Sequence, residues 1–135
     1  MTYDLFLGDQ TFSSWSMRGW LMFVKFGLPV NVHMVGLYDG TMADDLADLV
    51  PARFVPVMRT PEGIVVGDTL AMAETLAERH PDAGLWPDDT AARGLARWMV
   101  AEMHSGFGAL RGACPMQLLH QYRDFPVTRE LQADL

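Results

Sequence analysis

The chain has 135 residues, 50% of them hydrophobic, which is enough to bury a core and fits one domain or one domain with an appendage. Its formal charge of −7, with 17 acidic against 10 basic residues and no dense Lys/Arg run, argues against a nucleic-acid or anionic-membrane surface. The single cysteine, Cys114, excludes an internal disulfide and Cys-x-x-Cys dithiol chemistry, so any thiol chemistry has to arrive with a ligand.

Met1 to Asp4 lacks a basic segment followed by an apolar one, and no apolar run is long enough to span a bilayer, so a cytoplasmic location is expected. Cys114, next to Pro115, is expected to behave as a small buried hydrophobe. No internal repeat or low-complexity linker is present.

In chain order, Tyr3 to Leu7 reads as a first strand closed by Gly8-Asp9, and a Ser-rich loop follows. Met17, Trp20, Leu21 and Val24 recur at helical spacing with Gly27 as a stop. Val30, Val32 and Met34 alternate with Asn31 and His33, predicting a second strand that ends near Leu37. Thr41-x-x-Asp44 resembles a capping box opening a short helix before Pro51. Phe54 to Met58 and Ile64 to Val66 flank Thr60-Pro61-Glu62-Gly63, a hairpin pattern in which Pro56 implies an edge, a bulge or a cis peptide.

Asp68 or Thr69 then caps a third helix with an apolar face of Leu70, Ala73, Leu76 and Ala77, ended by His80-Pro81. The predicted order is therefore βαβαββα. Turn residues near Ala83 to Pro87 mark a boundary between segments 1–84 and 85–135. Beyond it, Leu95, Trp98, Met99, Met103, Phe107 and Leu110 predict one long helix reaching about Arg111. Residues Met116 to Tyr122 look helical, and Pro126 opens a further helix running to Leu135 without a closing cap. The apolar face of Leu95, Trp98 and Met99 is expected to lack partners and invite association.

Three segments, Phe12-Ser13-Ser14-Trp15-Ser16-Met17-Arg18, Val55-Pro56-Val57 and Gly67-Asp68-Thr69-Leu70-Ala71-Met72-Ala73, together resemble the glutathione-site segments of glutathione transferases. The first is most similar to bacterial serine-type members and to the zeta class, the maleylacetoacetate isomerases, with Trp15 where that class carries cysteine. The resemblance implies an α/β fold: a thioredoxin-like glutathione-binding domain over 1–84, then the start of an all-helical domain, truncated, over 85–135. It also implies a homodimer that uses glutathione as co-substrate, a small electrophile as second substrate, and no metal.

The implied activity is activation of the glutathione thiol for conjugation or isomerisation. The alternative is a non-catalytic module of the same fold serving protein contacts or stress regulation. By its spacing to Arg18, Ser13 matches the family's thiol-activating serine; Ser14 and Ser16 support the loop or the ligand, or act as ordinary helix caps. Arg18 either meets a ligand carboxylate or has a structural role beside an acidic neighbour. Val55, ahead of Pro56, matches the residue whose backbone meets the cysteinyl part of glutathione.

Asp68 and Thr69 match the pair that grips the γ-glutamyl end, and without the resemblance they are an N-cap. The family often has a basic residue just before Val-Pro, where this chain has Phe54, so the charge is either displaced to Arg53 or lost, weakening the glycyl-carboxylate contact. The second substrate is expected against Phe12 or Trp15 and the helix face bearing Met103, His104 and Phe107. His104 is either an acid or base there or a satisfied helix-face residue.

Overall fold

Tyr3, Leu5 and Leu7 are buried and alternate with partly buried Asp4 and Phe6, the period of two that makes strand β1 (Tyr3–Leu7). The structure is a computed structural model and describes residues 2–135. Strand β2 (Val30–Met34) runs parallel to β1, with Tyr3 opposite Val30 and Leu7 opposite Met34. A parallel neighbour needs a crossover, which helix α1 (Ser14–Phe26) supplies. Gly27, at φ 65°, ends α1 in the left-handed conformation. Strands β3 (Val57–Arg59) and β4 (Val65–Gly67) form an antiparallel hairpin, and β3 pairs antiparallel with β1, giving the order β2-β1-β3-β4.

Each sheet face has its own core. Tyr3, Leu5, Leu7 and Met58 pack with Phe23 of α1 and with Met72 and Leu76 of helix α3 (Thr69–Arg79). On the other face Val35, Leu46, Leu49 and Val57 pack beneath helix α2 (Met42–Asp45) and the 3-10 turn Ala47–Leu49. The expected order βαβαββα is the observed one. Beyond α3, helix α4 (Thr90–Ser105) lies against it, tied by Arg97 to Glu74 at 2.9 Å, and helices α5 (Gly108–Ala113) and α6 (Arg129–Asp134) follow.

Several local expectations are corrected. Strand β2 ends at Met34, and it is an edge strand whose Val32 and Met34 are exposed despite their alternation. Thr41 takes the N-cap position of α2 without a capping box: its amide donates to Asp39 and its hydroxyl to Asp39 and Asp45, so its side chain caps no helix amide. Pro56 stands just ahead of β3 instead of inside a strand, as a residue without an N–H must beside an inner ladder; the Val55–Pro56 peptide is cis, as is Val50–Pro51. The buried stripe of α3 is Thr69, Met72 and Leu76, which leaves Leu70 and Ala77 only partly buried.

The long helix breaks after Ser105, where Gly106 is extended and Phe107 turns left-handed at φ 61°. Residues 116–122 are not helical: the Leu118 amide donates across the molecule to the Thr11 carbonyl at 3.0 Å instead of one turn back. Helix α6 starts at Arg129, not Pro126, because the Thr128 hydroxyl accepts the Leu131 amide and fixes the cap there. Cys114, at the end of α5, is exposed and not the buried hydrophobe expected.

Asp4 joins three strands. Its Oδ1 meets His33 Nε2 at 3.0 Å and Asn31 Nδ2 at 3.3 Å on β2, and its Oδ2 accepts from Arg59 Nη2 of β3 at 2.9 Å. The hydrogen bonds from His33 and then Arg59 hold the Asp4 carboxyl at about 2, well below the usual carboxylate range. A group with a depressed folded-state pKa stabilises above its unfolded value, and that stability is lost as pH falls through the folded one. Stability should therefore drop between about pH 4 and about pH 2, by roughly 1 kcal/mol for so wet a network. Acid titrations followed by circular dichroism should show that step in the parent and not in Asp4→Asn.

Candidate active site between the Ser-rich loop and helix three

The loop that enters α1 is built around Asp9. Its Oδ1 accepts from the Thr11 amide and hydroxyl, each at 2.6 Å, and from the Phe12 amide at 3.2 Å, while its carbonyl accepts the Ser13 amide. The Thr11 bonds hold the Asp9 carboxyl below its ordinary range. Ser13 then caps α1: its Oγ accepts the Ser16 amide at 3.3 Å and donates to Ser16 Oγ at 2.9 Å. Ser16 is buried and its Oγ also accepts the Gly8 amide at 2.8 Å, which stitches the helix to the end of β1. The cap thus falls to Ser13, and Ser16 is an internal tie. The Ser14 hydroxyl has no hydrogen-bond partner among the described residues.

A cavity of about 470 Å³ opens beside this helix end, lined by Trp15, Phe54, Val55, Pro56, Asp68, Thr69 and His104. The structure brings together Trp15, Val55-Pro56 and Asp68-Thr69, from segments far apart in the chain. Ser13 and Ser14 do not line the cavity; they adjoin it through Trp15. Gly19, one turn into α1, lets the Pro56 ring approach so closely that a Cβ on it would lie 2.7 Å from Pro56 Cβ. Phe54 is exposed and forms part of the rim, whereas Arg53 is exposed and lies outside the lining.

Asp68 sits at φ 67°, a conformation that costs a non-glycine residue about 1–3 kcal/mol. It caps α3 through Oδ1, which accepts the Leu70 and Ala71 amides, while Oδ2 lies 2.5 Å from His104 Nε2 of α4. Partial burial works to raise its carboxyl, but the His104 and backbone hydrogen bonds outweigh it and the net direction is down. With those amides taken, the Thr69 N–H is the donor left at the start of α3.

Of the expected second-substrate group, Trp15 and His104 line one cavity and Met103 lines the next, while Phe12 and Phe107 stand apart. Phe12 stands against Tyr38, with ring centroids 5.5 Å apart, in a different hollow. Phe107 lines neither cavity beside Trp15. Met103 lines a neighbouring, largely apolar cavity of about 430 Å³ between α1, α3 and α4, and His104 and Thr69 are shared by the two. Sequence reasoning missed Arg111. Its guanidinium lies 4.8 Å from the Trp15 ring centroid, Arg18 lies 4.4 Å from it, and the His104 ring meets Trp15 edge-on at 5.5 Å. Arg18 has no acidic partner among the described residues, and burial, then Arg111, pushes its guanidinium down. No group of three His, Cys, Asp or Glu side chains among the described residues is placed to hold a metal ion.

Residues 12–79 match the family model of the glutathione S-transferase N-terminal domain, half of the chain. The chain belongs to the glutathione S-transferase family. It is 27% identical over 110 residues to a maleylacetoacetate isomerase of Dictyostelium discoideum, covering 81% of this chain and 50% of that protein. It is 36% identical over 76 residues to a probable maleylacetoacetate isomerase of Caenorhabditis elegans, covering 56% and 35%. A glutathione transferase homolog from Burkholderia, solved with bound glutathione, superposes with a TM-score of 0.67 at 25% identity, over 84% of this chain and 59% of that one. The chain is a zeta-like member with a thioredoxin-like fold, and it spans half or less of the length of those curated relatives.

Proposed function

We propose that the 470 Å³ cavity binds glutathione and that the helix end beside it activates the thiol for addition to a small electrophile, or for isomerisation through a transient adduct. The observation that carries this reading is the convergence of Val55-Pro56 and Asp68-Thr69 on one cavity at the start of α1, in a family member whose Burkholderia relative was solved with glutathione. Under it, the Val55 backbone pairs with the cysteinyl unit, Asp68 accepts from the γ-glutamyl ammonium, and the Thr69 hydroxyl and N–H receive the adjoining carboxylate. Segment 1–84 is the ligand-binding unit and 85–135 the helical one. The exposed Leu95, Trp98 and Met99 favour a second copy as partner.

Magnitudes decide who activates the thiol. A helix N-terminus contributes about 0.3–1 kcal/mol, less than the roughly 1.4 kcal/mol of one pKa unit. A hydroxyl donating to the thiolate adds about 1.5–3 kcal/mol, so the two together lower the thiol by about one to three units. Ser13 is suited to this because the Ser16 amide donates to its oxygen, leaving the O–H free to turn from Ser16 Oγ to sulfur. Ser14 is the second reading, because its hydroxyl is uncommitted.

Retention on immobilised glutathione tests binding, and turnover of single alanine variants tests the assignment. Ser13→Ala should still be retained and lose turnover by about 10- to 150-fold, with Ser14→Ala changing it little. The reverse pattern would assign Ser14, and two unaffected variants would remove both.

A further inference from the structure

We infer that His104 is a proton-linked latch on Asp68: its imidazole occupies the carboxylate oxygen that a ligand's ammonium group has to take. This rests on the reading of the cavity as a glutathione site and names how access to that site is regulated. The geometry carries it. Asp68 has two oxygens, and Oδ1 is held by the Leu70 and Ala71 amides that its capping role requires. Oδ2 is the oxygen left outside the cap, and His104 Nε2 stands 2.5 Å from it. Trp15 steadies the ring edge-on, and both residues line the same cavity wall. His104 therefore belongs to the anchor for the ligand's amino end and not to a reacting-atom group with Phe107.

The charges around the ring set the sign. From the start of α3 comes Asp68, the one acid paired with it among the described residues. From α1 comes Arg18, lining the second cavity that His104 also lines, and from the segment after α4 comes Arg111, which shares the Trp15 ring with Arg18 and donates to the Met103 carbonyl beside His104. Glu102 on α4 itself is exposed and forms no bond to the ring. Asp68 brings an anion to the ring, and Arg18 and Arg111 bring cations close by. When an incoming ammonium takes Oδ2, the imidazolium loses its anion while keeping its cationic neighbours, so it gives its proton to solvent. Binding of an ammonium-bearing ligand weakens as pH falls through the range of about 5–8 where imidazoles titrate.

The test is calorimetric titration with S-methylglutathione, which has no thiol proton to confuse the slope, at pH 8 and pH 6 in buffers of different ionisation enthalpy. The parent should bind at least about threefold more weakly at pH 6 and release a measurable fraction of a proton on binding. The desamino analogue of the same ligand, and the variant His104→Phe with S-methylglutathione, should show neither effect. Equal affinity at the two pH values, or the same slope in His104→Phe, overturns the latch. If the variant does not fold, the comparison of the two ligands on the parent decides alone. Failure of S-methylglutathione to bind at either pH would instead overturn the glutathione-site reading, and the latch with it.

Discussion

Gly19→Val should cost the fold about 3 kcal/mol or more and abolish retention on glutathione, although Gly19 is placed to touch no ligand. A Cβ at this position would lie 2.7 Å from Pro56 Cβ and 2.8 Å from Pro56 Cγ, and a proline ring cannot swing aside as a long side chain does. Alanine already creates that overlap. In a helix interior alanine is favoured over glycine by about 1 kcal/mol, against an overpacking cost of about 1–3 kcal/mol, so Gly19→Ala should be mildly destabilising and valine severely so. Relief of the clash moves Pro56, and with it the Val55 backbone on the cavity wall.

Gly94 in α4 supplies the control, because a Cβ there meets nothing within 4 Å. Gly94→Ala should stabilise by about 0.5–1 kcal/mol. Thermal melts of the three variants, with glutathione retention beside them, check both signs. A valine at position 19 that melts with the parent would show that α1 and Pro56 are not in the contact described.

Ser16→Ala should destabilise by about 1–3 kcal/mol, an effect out of proportion to one oxygen atom. The hydroxyl is buried, accepts the Gly8 amide at 2.8 Å and accepts from Ser13 at 2.9 Å, so its removal leaves a buried amide without an acceptor. The same change frees Ser13 from its neighbour. Denaturant unfolding of Ser13→Ala, Ser16→Ala and the double variant should therefore be non-additive, as expected for residues that share a hydrogen bond. Additive losses would mean that the two serines act separately.

Much of this was legible in the chain. Strand β1 and helices α1 and α3 carry their own signals: an apolar-rich run from Tyr3 to Leu7 closed by Gly8-Asp9, a glycine stop at Gly27, and a capping pair at Asp68-Thr69. Val55-Pro56 and Asp68-Thr69 stand out in the chain as a proline and a helix cap, and only the resemblance to glutathione transferases gives them a ligand to meet. What the chain did not reveal depends on packing between distant elements. The alternation in β2 promised a buried face, but the helices bury β1 and β3 and leave β2 at the edge. The pairing of His104 with Asp68 joins residues 36 apart in sequence, and the placement of Arg111 over Trp15 depends on the break at Gly106 that the apolar periodicity of α4 conceals. Phe107 shares a face with Met103 only on a helix that continues past Gly106, and loop geometry sends Phe12, the alternative to Trp15, to Tyr38.

The proposal that this helix end activates a bound thiol is most directly tested by titrating glutathione's thiolate absorbance in the presence of saturating protein. A free thiol ionises near pH 8.5, and the bound one should ionise about one to three units lower in the parent, moving back toward the free value in Ser13→Ala. A bound thiol that titrates with the free one in the parent protein would contradict it.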